Sequence, residues 1–359
     1  MSDLERRVAA ELSSGGRVLV SRLEYLGDVI LTLPAVRAVK DRYPKAEIDY
    51  LSRSDGANVL EGDPLFARVL RVPEKGESSL ATWRLVSEMR ARRYAAAVDL
   101  YSNPRSALLT WLSGAKLRIG GVRRVRRYLY THPTATPATI RSAIDHHLHY
   151  LKPLGVAAKA TKPVLALTDA ERARALERLR DSGAVRDAER TLGLHPGGKW
   201  EVKRWPVGQF ADLARRLIET HGIRIVVLIG PGEQSYQDAL RTHLGSRAVY
   251  LPPLPIRETA AVIEALDGLV VGDGGIMHVS VAVGTPTVGL FGSSEPDIWF
   301  PYESFGPFVA ATVPIDCRPC HRHACDHLSC LCGLSAEMVE AKLLGVLGAV
   351  KANERTIHR

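Results

Sequence analysis

A glycine-rich turn flanked by an aspartate and a histidine is the clearest candidate for chemistry in this chain. The segment LVVGDGGIMHVSVAVGTPTVGLFG, residues 269–292, has the pattern of a strand, a turn of small residues, a helix and a second strand. Gly274 and Gly275 therefore lie where a helix begins. A helix N-terminus carries unpaired N–H groups and a partial positive charge, and glycines let an anion approach that backbone closely. The pattern predicts a site for a phosphorylated ligand.

Two polar side chains flank this turn and indicate which groups the ligand carries besides a phosphate. Asp273 could cap the helix, or it could accept a hydrogen bond from a hydroxyl of a ribose or hexose. His278 could donate to a phosphate oxygen, or it could be satisfied within the core. Taken singly, each residue leaves both interpretations open. Their clustering around one turn favours ligand binding.

Length and charge indicate how many domains the chain has and what kind of partner it binds. A chain of 359 residues exceeds the size at which one core stops growing, so two domains are expected. The chain has no run of about 18 apolar residues and no signal-peptide pattern, which predicts a cytoplasmic protein. The net charge is +9, and four arginines lie within five residues: Arg123, Arg124, Arg126 and Arg127. Such a cluster indicates an anionic partner, whether a lipid headgroup, an acidic glycan or a nucleic acid.

Strand and helix patterns alternate twice along the chain, which predicts an α/β protein with two doubly wound parallel sheets. Strands are predicted within residues 17–22, 48–51, 68–72, 95–100, 116–120, 191–198, 223–232, 248–254, 268–273 and 287–292. The clearest helix runs from Asp28 to Arg42, with a bend at Pro34. A polar helix over residues 168–180, which opens with a Thr168–Glu171 capping box, suits a linker.

The loops that follow the strands hold further candidate residues, because ligands of parallel sheets gather beyond the carboxyl ends of the strands. Asp28 opens a helix after the first strand, where it could be an N-cap or a general base that reaches a substrate hydroxyl. Lys203 precedes Trp205 and Pro206 at the start of a helix over residues 207–219. It could meet a pyrophosphate as a point charge, whereas Trp205 could simply pack as a hydrophobic staple.

Five cysteines lie within one 16-residue segment: Cys317, Cys320, Cys325, Cys330 and Cys332. In a cytoplasmic protein, the spacing of the first four suits tetrahedral zinc or iron better than a disulfide framework. Three nearby histidines could substitute as ligands: His321, His323 and His327. The alternative is a set of reduced thiols packed in a small loop core, and the sequence leaves both open.

Three segments together resemble the motif series of glycosyltransferase family nine, the ADP-heptose:lipopolysaccharide heptosyltransferases. They are GDVILTLPAVRAVKDRYPKAEIDYL, HPGGKWEVKRWPVGQFADLARRL and GDGGIMHVSVAVGTPTVGLFG. The resemblance implies a GT-B fold, in which two Rossmann-like doubly wound domains face a central cleft. It implies an acceptor-binding domain over residues 1–165, an ADP-sugar donor-binding domain over 166–334, and a C-terminal helix within 335–359 that packs back toward the first domain. It also implies inverting, metal-independent transfer of a sugar.

The resemblance also assigns roles to single residues. Asp28 falls on the family's catalytic aspartate and would deprotonate the acceptor hydroxyl, and Lys203 falls on the lysine that would stabilise the leaving diphosphate. Glu233 would bind the ribose and Leu254 would contact the adenine. The full set of implied donor-binding residues is Gly198, Lys199, Glu233, Leu254, Asp273, Gly274, Gly275, Met277 and His278. The four clustered arginines fall on the acceptor side, and no Asp-x-Asp motif or cofactor is needed for catalysis.

Three functions compete at this point. The first is transfer of a heptose from ADP-heptose to a lipopolysaccharide inner-core acceptor, with transient contact at the inner face of the cytoplasmic membrane. The second is the same chemistry on another acceptor, such as a secondary metabolite or a protein. The third is a non-catalytic nucleic-acid-binding protein. The sequence leaves the oligomeric state open for all three functions. Few aromatic residues accompany the arginines, which disfavours base stacking, so no nucleic-acid partner is expected.

Overall fold

Parallel strands organise the chain into two units, residues 1–166 and 167–359. The computed structural model describes residues 2–74, 76–185 and 190–357, with side chains as far as residue 349. The division falls one residue from the boundary that the sequence predicts. Each unit is described by itself below.

The first unit contains seven helices, six strands and two short 3-10 helices among its described residues. In chain order they are α1 (Asp3–Ser13), β1 (Arg17–Ser21), α2 (Leu26–Ile30), α3 (Leu33–Arg42), β2 (Glu47–Ser52), α4 (Ser54–Leu60), β3 (Arg68–Arg71), α5 (Ser79–Ala91), β4 (Ala96–Asp99), α6 (Pro104–Leu112), β5 (Leu117–Gly121), a 3-10 helix (Arg124–Leu129), β6 (His132–Thr134), α7 (Ala143–His149) and a 3-10 helix (Lys152–Leu154).

These strands form one parallel sheet in the order β3-β2-β1-β4-β5-β6. The order reverses between β1 and β4, because the chain runs outward through β2 and β3 before it returns beside β1. Strands β1, β2 and β4 are buried along almost their whole length, as expected for a parallel sheet covered by helices on both faces. The loops after β1 and β4 therefore emerge side by side.

The second unit repeats this plan with eight helices, six strands and two short 3-10 helices among its described residues. They are α8 (Asp169–Asp181), β7 (Thr191–His195), a 3-10 helix (Glu201–Lys203), α9 (Val207–His221), β8 (Arg224–Val227), α10 (Gln234–Leu244), a 3-10 helix (Gly245–Arg247), β9 (Ala248–Tyr250), α11 (Ile256–Glu264), β10 (Gly268–Gly272), α12 (Gly275–Val283), β11 (Thr287–Leu290), α13 (Pro296–Trp299), β12 (Phe308–Ala311), α14 (Ser329–Cys332) and α15 (Ala336–Ile357).

The second sheet is also wholly parallel, in the order β12-β11-β10-β7-β8-β9. Its order reverses between β7 and β10. The prediction of an α/β fold built on two doubly wound parallel sheets is therefore confirmed. Two edge strands, β6 and β12, were missing from the prediction, because strands of three or four residues carry too little periodicity to be recognised, and Pro133 also interrupts β6.

One predicted helix differs in a way that matters for the candidate base. The predicted helix over residues 28–42 is two helices, α2 and α3, because Pro34 has no N–H to donate to the preceding turn. Pro34 instead occupies the first turn of α3, where the missing donor costs nothing. Asp28 thus lies in a five-residue helix of its own, close behind β1.

The long helix α15 packs against its own unit, on α9 and on strands β10, β11 and β12. Trp205, which is 1% exposed, anchors this region by donating from its indole Nε1 to the Leu334 carbonyl at 2.8 Å. The expectation that the helix packs back toward the first domain stays a prediction, and residues 358–359 of that segment lie outside the described residues. Among the helices that the structure describes, none has the length and apolar character required to cross a membrane.

Candidate active site

The second unit concentrates polar side chains at the point where its strand order reverses. His195 ends β7, Asp273 follows β10, and these two strands are neighbours in the sheet. Ligands of doubly wound sheets bind beyond the carboxyl ends of the strands at such a reversal. The loop after β7 also leads into the 3-10 helix that ends at Lys203. The sheet thus brings together three segments that the sequence analysis singled out separately.

Asp273 and Lys203 form an ion pair, with Lys203 Nζ at 2.6 Å from Asp273 Oδ2. The Asp273 side chain is 5% exposed and the Lys203 side chain is 26% exposed, so the pair is largely withdrawn from solvent. Ser294 adds a further hydrogen bond by donating from its hydroxyl to the same carboxylate oxygen. Asp273 does not cap α12, because no side chain caps that helix and the N-cap residue is Gly274. The capping interpretation of Asp273 is therefore wrong.

Gly272 makes this pairing possible. A Cβ at position 272 would lie 2.8 Å from the main-chain carbonyl oxygen of Lys203, closer than real Cβ atoms come to another atom. Glycine therefore lets the 3-10 helix carry Lys203 against the end of β10. The N–H groups at the start of α12, which has Gly274 and Gly275 at its first positions, lie immediately beyond Asp273 and carry the partial positive charge of a helix N-terminus.

His278 lies one turn into α12 and is 4% exposed. Its ring Nδ1 is 2.8 Å from the hydroxyl of Tyr302, which is fully buried. Burial lowers the pKa of His278 to about 4 and raises the pKa of Tyr302 well above its usual range, so both side chains are neutral near pH 7. A Tyr302 hydroxyl that donates to Nδ1 leaves the ring proton on Nε2, which is then a neutral hydrogen-bond donor.

A second polar pair lies at the end of β7. His195 Nε2 is 3.5 Å from Glu233 Oε2, and Glu233 accepts a hydrogen bond from the Gly230 N–H at 2.7 Å. A Cβ at Gly197 would meet the carboxylate of Glu233, so a larger residue there would displace that side chain. Burial lowers the pKa of His195, and its Nδ1 has no hydrogen-bond partner among the described residues. The loops after β7 and β8 are thus held together through Glu233.

The other residues predicted to bind the sugar donor lie on loops of the same unit, apart from Met277 in α12. The Gly198 carbonyl accepts from Arg204 Nε at 2.6 Å, and Lys199 Nζ lies 5.6 Å from the centre of the Trp200 ring. Leu254 is half-buried beyond β9. Met277 lies in α12 and is fully buried. Their assignment to the donor stays a prediction.

The first unit has a matching cluster where its own strand order reverses. Arg22 directly follows β1. Its Nη2 lies 3.1 Å from Asp28 Oδ1, and both side chains are at most 13% exposed. Arg22 also donates to the Leu100 carbonyl at 2.8 Å and lies 4.6 Å above the ring of Tyr101, both beyond β4. Asp28 is the third residue of α2, whose N-cap is Tyr25, so Asp28 is not the N-cap.

The clustered arginines lie on the short 3-10 helix after β5. Arg123, Arg124 and Arg127 are exposed, whereas Arg126 is partly buried and donates to the Ser102 carbonyl at 2.9 Å. Arg127 stacks on the neighbouring Tyr128, with 4.9 Å between the guanidinium carbon and the ring centre. Three of the four guanidinium groups are thus available to an anionic ligand, and one helps to hold the segment in place.

The cysteine segment packs beside the Asp273 cluster. The N–H groups of Cys320 and His321 donate to the Ser293 carbonyl, and Arg318 donates to the carbonyls of Gly292 and Ser294. A cavity of about 220 Å³ is lined by four of the five cysteines, Cys317, Cys320, Cys325 and Cys330, together with Val202, Ser293, Arg322, His327 and Leu328. All five thiols are free, and in the described part of the chain no three His, Cys, Asp or Glu residues are placed to hold a metal ion. Of the five thiols only Cys330 is buried, and the assignment of a metal ion to this segment stays a prediction.

Comparison with known proteins accounts for this combination of fold and residues. The sequence model of glycosyltransferase family 9 (heptosyltransferase) matches residues 82–329, well over half of the chain. The chain belongs to glycosyltransferase family 9. This result confirms the family resemblance that the three motif segments suggested.

Individual relatives of this family 9 protein cover most of its length. It is 23% identical to lipopolysaccharide heptosyltransferase 3 of Escherichia coli, over 79% of this chain and 85% of the relative. Among solved structures it resembles a family 9 glycosyltransferase from Veillonella parvula, with a TM-score of 0.81, 23% identity and coverage of 92% and 97% of the two chains. It also resembles E. coli heptosyltransferase WaaC with ADP-2-deoxy-2-fluoro heptose, with a TM-score of 0.70, 20% identity and coverage of 90% and 98%. These similarities establish the GT-B fold.

Three residues of this family 9 glycosyltransferase cluster with the predicted site residues without having been predicted. Arg22 pairs with Asp28, Ser294 donates to Asp273, and Tyr302 contacts His278. Only Arg22 left a signal in the sequence, because a charged residue directly after a buried strand points to the carboxyl end of a sheet. Ser294 and Tyr302 lie 21 and 24 residues beyond their partners, so only the fold reveals the contacts.

The neutral state of His278 predicts a specific pH dependence of stability. Its pKa in the folded protein is about 4, below the ordinary value of 6.5, so the unfolded chain binds more protons between these values and stability falls as the pH drops through this window. Between pH 7.5 and pH 5, wild type should lose about 2 kcal/mol more unfolding free energy than His278→Gln. Urea denaturation at both pH values measures this difference.

The matched control for His278→Gln is His243→Gln, at an exposed position of the same unit. That control should keep the wild-type loss of stability. Equal losses in wild type and His278→Gln would show that His278 is not held neutral by burial.

Proposed function

We propose that this family 9 glycosyltransferase moves a heptose from ADP-heptose to a hydroxyl of a lipopolysaccharide inner-core acceptor, with inversion and without a metal ion. The observation that carries the proposal is the Lys203–Asp273 pair beside the N-terminus of α12. Two kinds of positive charge, an ammonium group and a helix N-terminus, adjoin a carboxylate that can accept from hydroxyl groups. That combination matches a sugar diphosphate, which presents hydroxyls and an anionic diphosphate side by side.

The comparisons support the donor and acceptor classes. One structural neighbour is a heptosyltransferase with a fluorinated ADP-heptose, another is named as an ADP-heptose lipopolysaccharide heptosyltransferase, and the relatives include lipopolysaccharide heptosyltransferases. In the proposal, Lys203, His278 and the α12 N-terminus with Gly274 and Gly275 bind the diphosphate, Asp273 binds a sugar hydroxyl, and Glu233 binds the ribose. Gly198 and Lys199 contribute through the loop backbone and the Lys199 charge, Met277 lies in α12, and Leu254 contacts the adenine.

Asp28 is the proposed general base. Its carboxylate is held in place by the Arg22 guanidinium at 3.1 Å, which in turn is fixed by Leu100 and Tyr101. A carboxylate in a fixed position can remove the proton from an acceptor hydroxyl as its oxygen attacks the anomeric carbon. The bond from that carbon to the diphosphate oxygen breaks, ADP leaves with the electron pair, and attack from the opposite side inverts the configuration.

Positive charges of the chain take the part that a metal ion plays in other sugar transferases. Negative charge grows on the diphosphate as the glycosyl bond breaks, and donors already aimed at that position stabilise the transition state more than the ground state. Lys203 can supply one such charge and the α12 N-terminus another. His278 adds a neutral donor, because the structure around it disfavours an imidazolium. No metal is therefore required for the proposed step.

The acceptor is proposed to meet the exposed arginines of the first unit. Arg123, Arg124 and Arg127 present cationic groups to solvent, and Arg126 supports them through Ser102. Phosphate and carboxylate groups of an anionic glycolipid suit guanidinium groups well. An acceptor without anionic groups would make no use of this cluster. We therefore favour the glycolipid over the alternative acceptors.

A donor panel tests the proposal directly. Incubated with ADP-heptose, ADP-glucose, UDP-glucose and UDP-N-acetylglucosamine, the enzyme should release nucleotide from ADP-heptose fastest, as measured by mass spectrometry. Activity should survive EDTA, because protein groups stabilise the diphosphate. A preference for a UDP-sugar, or a loss on chelation that magnesium or manganese restores, would contradict the proposal. A loss that only zinc or iron restores would instead assign a folding role to the cysteine segment.

Replacement of the proposed base should affect turnover alone. Asp28→Asn should lower kcat by at least ~10²-fold, the low end for loss of a general base, and should leave ADP affinity unchanged because Asp28 lies in the first unit. Asp55→Asn, an exposed carboxylate of the same unit, is the matched control and should turn over normally. Turnover close to wild type in Asp28→Asn would remove this residue from the mechanism.

A further inference from the structure

Exposed apolar side chains gather on one stretch of the first unit. Twelve large apolar side chains are exposed among the residues that the structure describes, and seven of them lie between residues 80 and 128. They are Leu80, Trp83, Leu108, Trp111, Val122, Val125 and Tyr128. Scattered exposed apolar side chains are ordinary, whereas a local concentration marks a surface that meets a partner.

Three neighbouring elements carry these side chains. Leu80 and Trp83 lie one turn apart on α5, and Leu108 and Trp111 lie one turn apart on α6, so each pair shares one helix face. Helix α6 packs beside α5 and beside the 3-10 helix of residues 124–129. We use the name apolar face for the exposed residues of these three elements: Leu80, Trp83, Leu108, Trp111, Val125 and Tyr128.

The fold itself does not require these side chains to be apolar. Helix α5 already buries Leu85, Val86 and Met89 on its opposite side, and α6 buries Leu109 in the same core. Trp83 is 69% exposed and Tyr128 is 72% exposed, so both leave most of their surface in water. Their apolar area is therefore available to stabilise contact with a partner.

Exposed arginines accompany the apolar face. Residues 79–130 contain eleven lysines and arginines and two carboxylates, although Arg92 pairs with Glu47 and Asp49, and Lys116 pairs with Glu11. Of the carboxylates, Asp99 is fully buried and Glu88 is paired with Arg68 at 3.1 Å. Arg84 and Arg90 of α5 and Arg124 of the 3-10 helix are exposed. A partner that covers the apolar face must therefore be apolar and anionic at once.

We propose that the apolar face is a docking surface for an anionic lipid bilayer. Tryptophan and tyrosine favour the interfacial layer of a bilayer, and arginines nearby attract anionic headgroups. Leucine and valine gain nothing from a nucleic acid, because they cannot stack on bases as aromatic side chains do. This inference deepens the proposed function, since a glycolipid acceptor lies in a bilayer, but acceptor-free vesicles test it independently of sugar transfer.

Vesicle sedimentation with the full chain is the test. Vesicles of phosphatidylcholine with 30% phosphatidylglycerol should bind wild type, vesicles of phosphatidylcholine alone should bind it much less, and added salt should weaken binding. Trp83→Ala combined with Trp111→Ala should lower the partition coefficient at least tenfold, because two large apolar side chains no longer enter the interface. Both positions are exposed, so the variant should remain folded.

Two further variants locate the contact. Leu176→Ala combined with Met338→Ala, which removes exposed apolar side chains of the second unit, should bind vesicles like wild type. Trp83→Phe combined with Trp111→Phe should still sediment with vesicles, but brominated lipids should quench its fluorescence far less than that of wild type. Nucleotide release from the donor should be normal in all these variants, which separates the surface from the active site.

Several outcomes would overturn the proposal. One is wild type that does not bind anionic vesicles, and another is a Trp83→Ala/Trp111→Ala variant that binds them unchanged. A third is tryptophan-dependent binding to a single-stranded oligonucleotide in place of vesicles, which would assign the face to nucleic acid. A fourth is a wild-type dimer in analytical ultracentrifugation that the same variant dissociates, which would assign the face to a second copy of the chain.

Discussion

The ion pair between Lys203 and Asp273 is the contact on which the polar cluster of the second unit depends. A carboxylate that is 5% exposed needs a partner, because an unpaired buried charge is strongly destabilising. Lys203 supplies the charge, Ser294 adds a hydrogen bond, and Gly272 gives the backbone of Lys203 room to approach. The cysteine segment then fixes the loop of Ser294 through main-chain hydrogen bonds. An anionic ligand beside Lys203 would add a second negative partner to an ammonium group that is already held in place.

The first unit also pairs a largely buried carboxylate with a cationic side chain. Asp28 and Arg22 pair beyond β1, and Arg22 is braced by the loop after β4. In both units the charged pair lies where the strand order reverses, between β1 and β4 or between β7 and β10. A reversal separates two loops that would otherwise be joined by one crossover helix, and so leaves room for a ligand. The duplicated sheet thus places one ion pair at each reversal, Arg22–Asp28 in the first unit and Lys203–Asp273 in the second.

Much of this arrangement could be predicted from the sequence, but the partners of the key residues could not. Buried strands, glycine turns and the order of elements are local, so the two sheets and the positions of Asp273, Gly274 and Asp28 followed from pattern alone. The break between α2 and α3 was predicted only as a bend, because a proline shows that a hydrogen bond is lost but not whether the helix restarts. The contacts of Ser294 and Tyr302 depend on how distant loops fold over α12, and the free thiols of the cysteine segment likewise required the structure.

In the proposed function, Lys203 pairs with Asp273 and also binds the diphosphate of the donor. Calorimetric titration of ADP tests this claim most directly. Lys203→Ala should weaken ADP binding by about 1.5–3 kcal/mol, roughly 10- to 150-fold, as expected for loss of a charge-assisted hydrogen bond. Lys116→Ala, which removes a lysine of the first unit paired with Glu11, should bind ADP like wild type. Equal ADP affinity in Lys203→Ala and wild type would contradict the account.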